Sequence, residues 1–279
     1  MPMTFDPIGM EVFKNSLESV AEGMALTVLL ASRSANARYA MDFSTAVLTP
    51  DGELAGQGIC LPIHLGGMMP AMKACLDRFQ GRIYPGDILA NNDPYEGGSH
   101  LPDIYLFKPV FAGDVLMGFM ATMSHHADIG GRVPGGSACD STEIYQEGLR
   151  IPPLKLYHQG KPNETLFRIL EKAVRVPEMV LGDVRGQVTA LYRGEMELLA
   201  LAKEMGLENL QQGIHQLFAY TEDLTRKLIR GLPDGRWTFT DYVDDDGFDS
   251  GPIPIVVTLT KEEDRVSVDF TGTGSQCKG

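Results

Sequence analysis

The stretch IYLFKPVFAGDVLMGFMATM, residues 104–123, contains two apolar runs separated by the short turn sequence AGD. Residues 104–111 and 115–123 each have the composition and length of a strand. A short glycine-containing turn between two such runs predicts an antiparallel β-hairpin. The loop that enters the first strand and the loop that leaves the second strand therefore lie at the same end of this hairpin.

Both of these loops are polar and rich in glycine. The entering loop, residues 91–103, contains His100 and Asp103; its prolines restrict the backbone, and its glycines permit tight turns. The leaving loop begins with SHHADIGG and contains His125 and His126. Because neighbouring residues of a strand point to opposite faces, only one of these two histidines can face a site shared with the first loop.

Two imidazoles and one carboxylate, with further coordination positions open, are a donor set of catalytic zinc, manganese and iron ions. The hairpin end therefore predicts a divalent metal site formed by His100, Asp103 and either His125 or His126. A second interpretation fits the same residues, because histidines in glycine-rich loops are often structural and only hydrogen-bonded. The residues by themselves leave both interpretations open.

The rest of the chain predicts a fold around this hairpin. Helical periodicity indicates helices over residues 7–32 and 63–79, and the hexapeptide GDVRGQ indicates a helix start capped by Asp183. Further elements are predicted as helices over 166–174, 184–205 and 207–230 and as strands over 237–243, 253–260 and 266–271. The expected class is α+β, with mixed or antiparallel sheets, long glycine-rich loops, a helical middle segment and a C-terminal antiparallel meander.

The only sign of a domain boundary is a change in sequence pattern near residue 160, where glycine-rich segments give way to helical periodicity. We expect a region with the metal site over residues 1–160, and a helical segment followed by antiparallel strands over residues 161–279. The sequence ends within a glycine-rich loop, GTGSQCKG, directly after a predicted strand. This ending predicts a chain that is truncated at its C-terminal side.

Composition and charge exclude several classes of function. The net charge of −13 disfavours binding to nucleic acid and to anionic membrane surfaces. No apolar run is long enough to span a bilayer, and the N-terminus lacks the pattern of a signal peptide. The four cysteines form no CxxC pair. A cytoplasmic protein without membrane or nucleic-acid partners is expected.

Motifs of nucleotide binding and of serine-hydrolase chemistry are missing from the sequence. It contains no GxxxxGK[ST] phosphate loop, no GxGxxG after a strand and no GxSxG nucleophile elbow. The chain alone therefore does not have the signature of an ATP-binding enzyme.

Glu143 and Glu147 are four residues apart and can share a helix face, either as acid–base groups or as a solvated surface.

Five motifs occur in an order that resembles the hydantoinase B/oxoprolinase family, which includes N-methylhydantoinase, 5-oxoprolinase and acetone carboxylase. The motifs are NDPYEGGSHLPDI, SHHADIGG, EIYQEGLRIPP, GDVRGQ and VDFTGTGSQCKG. They extend over nearly the whole sequence. Family members are longer, so the resemblance implies that roughly the N-terminal half of such a protein is present.

The resemblance implies a metal-dependent subunit of an ATP-dependent complex. ATP would be used by a partner, a hydantoinase A-type ATPase subunit, in a hetero-oligomer. By position in the motifs, manganese would be bound by His100, Asp103 and His125, with His126 as the alternative third ligand and zinc or iron as alternative ions. Asp128, Glu143 and Glu147 are expected to handle protons.

The reaction that the resemblance implies is hydrolytic opening of a cyclic amide that the partner has activated. An acetone carboxylase-like reaction on a ketone is the alternative enzyme, and a non-catalytic scaffold subunit is the alternative outside catalysis. The motifs themselves do not select among hydantoin, 5-oxoproline, another lactam and a ketone, because they serve the ion and the fold.

Overall fold

A computed structural model describes residues 5–136, 138–248 and 251–279. Five α-helices lie in these ranges: α1 (Pro7–Ala31), α2 (Ile63–Phe79), α3 (Glu164–Ala173), α4 (Pro177–Met205) and α5 (Leu207–Arg230). Seven strands form the larger sheet: β1 (Phe43–Leu48), β2 (Leu54–Gln57), β3 (Ile88–Asn91), β4 (Asp103–Ala112), β5 (Val115–His125), β6 (Leu154–His158) and β7 (Lys161–Pro162). Three more strands form a second sheet: β8 (Gly235–Val243), β9 (Ile253–Glu262) and β10 (Arg265–Asp269).

The predicted hairpin is the centre of the larger sheet. Strands β4 and β5 pair antiparallel from Asp103 opposite His125 to Ala112 opposite Val115. The strand order is β2-β1-β5-β4-β3-β6-β7, and every neighbouring pair is antiparallel. The expected α+β fold with antiparallel sheets is confirmed.

Helices cover both faces of this sheet. Helix α2 packs against β1, β3, β4 and β5. Helices α1 and α4 pack against each other, α1 also against β1 and β2, and α4 also against β4 and β5. On the α2 side, apolar side chains of the helix and of alternate strand residues form one buried cluster, which includes Met68, Met72, Phe107, Phe119 and Met123. Because β4 and β5 are covered on both faces, their burial is nearly continuous along their length.

Helix starts follow from local capping. The Asp6 side chain accepts a hydrogen bond from the Gly9 N–H at 2.6 Å, and Pro7 occupies the first turn of α1. Helix α4 begins at Pro177, so the expected helix start at GDVRGQ, with Asp183 as its cap, is wrong. Asp183 lies inside α4, where its carboxylate accepts from the N–H groups of Arg33 and Ser34 instead.

The chain divides into two compact units. The first comprises residues 1–137 and 147–214 and contains the larger sheet, whereas the second comprises residues 138–146 and 215–279 and contains the smaller sheet. The division falls inside α5, between Ile214 and His215. The boundary expected near residue 160 lies instead within the first unit, because strands β6 and β7 on its two sides pair with each other.

The smaller sheet has the expected meander topology, with the strand order β10-β9-β8. In the described residues, none of the helices is both long and apolar enough to cross a membrane.

Candidate metal centre

The end of the β4–β5 hairpin carries two of the three predicted ligands. Asp103 and His125 are opposite each other at the last paired position of the two strands. Both side chains lie on the face toward α2, because Tyr105, Phe107 and Met123 at alternate positions belong to the cluster around that helix. The pleat and the pairing therefore bring this carboxylate and this imidazole to one place.

His100 is positioned by the ordered loop between β3 and β4. Buried Asn92 holds this loop, since its side chain donates to the carbonyl of Leu101 at 2.5 Å and accepts from the N–H of Ile151 at 2.6 Å. Gly97 adopts a φ of 88°, and a Cβ there would lie 2.4 Å from the carbonyl oxygen of Pro70 in α2. Only glycine permits this close packing of the loop against the helix.

The structure brings His100, Asp103 and His125 together. One potential ligand atom from each lies within 4.8 Å of the others. The ring centroids of His100 and His125 are 5.4 Å apart. A tight turn joins His100 to Asp103, because the N–H of Asp103 donates to the carbonyl of His100 at 2.9 Å.

Asp103 is the electrostatic centre of the cluster. Its Oδ1 is 2.8 Å from Nδ1 of His125, and its Oδ2 accepts a hydrogen bond from Ser99 Oγ at 3.3 Å. Ser99 also contacts the Tyr105 hydroxyl at 2.8 Å. The hydrogen bond to Asp103 raises the pKa of His125, although burial of the ring opposes this shift. The pair thus concentrates negative charge where a cation or a proton is stabilised.

His126 lies on the opposite face of the sheet. Its side chain is fully buried, and its Nε2 is 3.1 Å from Oε1 of Gln187 in α4. Burial lowers the pKa of His126, despite the nearby carboxylate of Asp183. The structure therefore places His125, and not His126, in the cluster with His100 and Asp103.

Two further residues at the same sheet end, Asp42 and His64, were not predicted as site residues from the sequence. Ser44 donates its hydroxyl proton to the carbonyl of Leu61, so it can only accept from His64, whose Nδ1 is 3.1 Å away. Nε2 of a neutral His64 then has a lone pair that faces Asp42 Oδ1 at 3.3 Å. Two facing lone pairs are favourable only with a proton or a cation between or beside them.

The electrostatics of His64 follow from the same cluster. Burial lowers the pKa of His64, and the negative charges of Asp103 and Asp42 oppose this effect. Asp42 is next to the cluster in the sheet, because the N–H of His125 donates to its carbonyl at 2.9 Å. Strand β1, which begins directly after Asp42, pairs antiparallel with β5, and this pairing places Asp42 beside His125.

Asp128 forms a structural connection in the described residues. Its oxygens accept from the N–H of Arg175 at 2.6 Å, from Arg175 Nη1 at 2.9 Å and from the N–H of Gly135 at 3.3 Å. These bonds hold the loop after β5 against the segment before α4. Proton handling by Asp128 stays a prediction that these contacts do not support.

Glu143 and Glu147 do not share a helix. A 3-10 turn of three residues, Ile144–Gln146, separates them. Glu143 belongs to the second unit and Glu147 to the first. A role for either carboxylate in proton handling also stays a prediction.

The donor set of the cluster fits a divalent metal ion. Ligand atoms that share an ion at about 2.0–2.2 Å are about 3 to 4.4 Å apart, which small side-chain rotations achieve from the present positions. Two nitrogens and one carboxylate oxygen suit zinc, manganese and iron, and partial exposure of both histidines leaves access from solvent. The hydrogen bond from Ser99 to Asp103 is an outer contact of the kind that orients such ligands.

Comparison with known sequences places this geometry in context. The sequence pattern of the family described as hydantoinase B/oxoprolinase matches residues 6–279. The chain is 36% identical to the beta chain of the caprolactamase of Pseudomonas jessenii over 265 residues, which cover 95% of this chain and 46% of that protein. It is 33% identical to the B component of a putative D-/L-hydantoinase of Pseudomonas sp. (strain NS671), with 97% of this chain and 47% of that protein covered.

Solved structures have the same fold. The crystal structure of the ATP-dependent caprolactamase from Pseudomonas jessenii superposes with a TM-score of 0.92 at 35% identity, over 99% of this chain and 48% of the other. A nucleotide-free acetone carboxylase superposes with a TM-score of 0.87 at 18% identity, over 96% of this chain and 37% of the other, and this likeness shows the fold alone. The chain spans about half the length of the two relatives named above and a smaller part of longer relatives such as the 5-oxoprolinase of Dictyostelium discoideum, of which it covers 22%. It belongs to the hydantoinase B/oxoprolinase family.

Proposed function

We propose that this chain is the metal-binding part of a subunit that opens a cyclic amide ring in an ATP-dependent complex. The observation that carries the proposal is the cluster of His100, Asp103 and His125 at the hairpin end. The names of relatives support the reaction class, because caprolactamase, hydantoinase and 5-oxoprolinase each denote an enzyme acting on a cyclic amide.

The three residues would hold the ion, with manganese as the first candidate and zinc and iron as alternatives. When bound, such an ion polarises a carbonyl oxygen or lowers the pKa of a water molecule toward neutrality. Asp103 keeps His125 in one orientation through their 2.8 Å contact, and Ser99 keeps the Asp103 carboxylate in place. These contacts prepare the site before substrate arrives.

His64 is suited to hold a proton beside this centre. Its Nδ1 is fixed by Ser44, and its Nε2 faces Asp42. The imidazole can therefore take up a proton at Nε2, with the Asp42 carboxylate stabilising the resulting charge. The ring is mostly buried, so this proton would exchange with a bound substrate or water more readily than with bulk solvent.

ATP would be used on a partner, a hydantoinase A-type ATPase subunit, in a hetero-oligomeric complex. This assignment is supported by the absence of nucleotide-binding motifs from the 279 residues and by the ATP dependence stated for the caprolactamase. Ketone carboxylation has weaker support, because the likeness to acetone carboxylase is one of fold at 18% identity.

The test is turnover by the protein co-expressed with its A-type partner. ATP-dependent ring opening is measured with caprolactam, hydantoin and 5-oxoproline, and acetone with bicarbonate serves as the carboxylation arm. We expect ring opening of at least one cyclic amide, and a loss of about a hundredfold or more in His125→Ala.

His215→Ala is the matched control, because His215 is exposed on α5 and lies outside the cluster. This control variant should keep the parent turnover. A His125→Ala complex that turns over within twofold of the parent would support a scaffold role instead, and product formed only from acetone would support the carboxylase.

A further inference from the structure

The buried polar layer behind the candidate metal centre contains a residue that the proposed function does not use. Gln187 projects from α4 toward the sheet and is completely buried. It belongs to the GDVRGQ motif. The sequence predicted a helix start at this motif, but the motif lies inside α4, which begins at Pro177. A buried glutamine needs partners for both its donor and its acceptor, so its contacts define what the motif does.

The Gln187 side chain connects two strand ends. Its Oε1 accepts from Nε2 of His126 at 3.1 Å, and its Nε2 donates to the carbonyl of Ile104 in β4 at 3.0 Å and to Thr122 Oγ1 in β5 at 3.4 Å. His126 is the residue next to His125, and Ile104 is the residue next to Asp103. One amide thus bridges β4 and β5 directly behind two of the three clustered side chains.

This bridge reinforces the last rung of the hairpin. Asp103 and His125 are the final paired residues, and one more backbone bond, from the N–H of His126 to the carbonyl of Pro102 at 2.9 Å, lies beyond them. Strand ends fray more readily than strand centres, because they lack hydrogen bonds on one side. A fixed amide at this position therefore limits variation in the distance between the Asp103 and His125 side chains.

The neighbouring turn of α4 extends the same support. Asp183, one helical turn before Gln187, accepts from the N–H groups of Arg33 at 2.5 Å and Ser34 at 3.1 Å. These residues begin the segment that leads to Asp42 at the rim of the cluster. The motif thus attaches α4 both to the hairpin end and to the segment before β1.

We propose that Gln187 is a positioning residue of the candidate metal centre: its amide sets the spacing of Asp103 and His125 from the opposite face of the sheet. The inference rests on the proposed metal site. It assigns to GDVRGQ a role in metal affinity without any contact between the motif and the ion. The choice of glutamine follows, because a carboxylate offers no donor to Ile104 and an apolar side chain serves neither partner.

The test measures the affinity for Mn²⁺ alone by titration, with free Mn²⁺ counted by its electron paramagnetic resonance signal. Gln187→Met keeps the volume of the side chain and removes its three hydrogen bonds, to His126, Ile104 and Thr122. We expect the dissociation constant to rise by about tenfold or more, since outer contacts of ligands typically contribute this much. The line shape of bound Mn²⁺ should broaden as well, because the ligand geometry becomes heterogeneous.

Leu198→Ala is the control for general destabilisation. Leu198 is buried on the same helix, three turns beyond Gln187, and its truncation lowers stability through a cavity. We expect this variant to bind Mn²⁺ within twofold of the parent even where its melting temperature falls as far as that of Gln187→Met. If Gln187→Met does not fold, Gln187→Asn keeps the amide but is too short for both partners, and it should show the same loss.

The outcomes separate the two proposals. A parent protein that binds Mn²⁺, with folded Gln187 variants that bind equally well, overturns the positioning role and leaves the metal site standing. Equal losses in Leu198→Ala and Gln187→Met at equal melting temperature also overturn it. A parent that binds no Mn²⁺ overturns the metal site, and the positioning role with it.

Discussion

The two sheets of this protein share antiparallel topology and differ in what covers them. Strands β4 and β5 of the seven-stranded sheet are buried on both faces by α2 and α4. One face of the three-stranded sheet is apolar and largely exposed in the described residues. Register places Trp237 opposite Leu259, Phe239 opposite Val257 and Val268 opposite Leu259, all on that face.

The central strands of the larger sheet therefore form a core, whereas the apolar face of the smaller sheet is a surface. Phe107 in the larger sheet is 0% exposed, whereas Phe239 in the smaller sheet is 72% exposed. Every residue of the candidate metal centre, together with Asp42, His64 and Gln187, belongs to the first unit. The covered sheet can hold ligands at fixed spacing, while the second unit exposes large apolar side chains such as Trp237, Phe239 and Phe270.

The largest expected effect compares one substitution in the two sheets. Phe107→Ala leaves a cavity in the buried cluster and should lower the free energy of unfolding by about 3–5 kcal/mol. Phe239→Ala removes an exposed ring and should change it by less than about 0.5 kcal/mol. Urea unfolding followed by far-ultraviolet circular dichroism measures both. Similar costs at the two positions would show that the apolar face of the smaller sheet is buried in solution.

An intermediate effect compares buried and exposed carboxylates. Asp87 is 0% exposed, contacts Lys155 Nζ at 2.6 Å and accepts from the N–H groups of Tyr84 and Gln159, so Asp87→Asn removes the charge at the centre of a buried network and should cost about 3 kcal/mol. Asp234 contacts Lys261 Nζ at the same distance of 2.6 Å, but its side chain is 63% exposed. Lys261 also donates to the carbonyl of Leu232, so Asp234→Asn should lower the unfolding midpoint by less than Asp87→Asn does.

The pH dependence of the same variants has a defined sign. Burial alone would raise the pKa of Asp87, but hydrogen bonds from Lys155, Gln159 and Tyr84 outweigh it and leave the pKa below its ordinary value. The stabilisation is then present above about pH 4 and is lost as the pH falls through the lowered pKa. The difference between parent and Asp87→Asn should narrow below about pH 4, and a difference that stays constant to pH 2 would contradict this origin.

The smallest expected effect on stability concerns the apolar surface itself. Replacing Phe239 and Phe270 by serine removes two exposed rings from the second unit. We expect the fluorescence of the dye ANS to fall and the unfolding midpoint to stay unchanged, because the rings contribute surface and no core. Unchanged dye binding would show that this face is covered in solution.

Much of the fold could be predicted because its elements follow local patterns. The expected helices over residues 63–79 and 207–230 coincide with α2 and α5. The start of α4 was missed, since residues 177–183 have no strong periodicity and the helix begins at a proline. The division inside α5 also could not be predicted, because a continuous helix gives no compositional sign of a boundary.

The candidate site was predictable as far as hairpin topology reaches. Two loops at one hairpin end had to meet, which placed His100 and Asp103 near the histidine pair. The sequence left His125 and His126 as alternatives, because the face that a strand residue takes depends on tertiary packing, here on α2 and α4. Asp42, His64 and Gln187 are distant in sequence from this hairpin, and only the assembled sheet brings them near it.

The most direct measurement of the central claim is anomalous diffraction from a crystal of the protein soaked in Mn²⁺. The account predicts one peak at the manganese edge about 2.2 Å from ligand atoms of His100, Asp103 and His125, and no such peak in His125→Ala crystals. Diffraction from the parent with no peak among these three side chains, at saturating Mn²⁺ and with the cluster intact, would contradict the account.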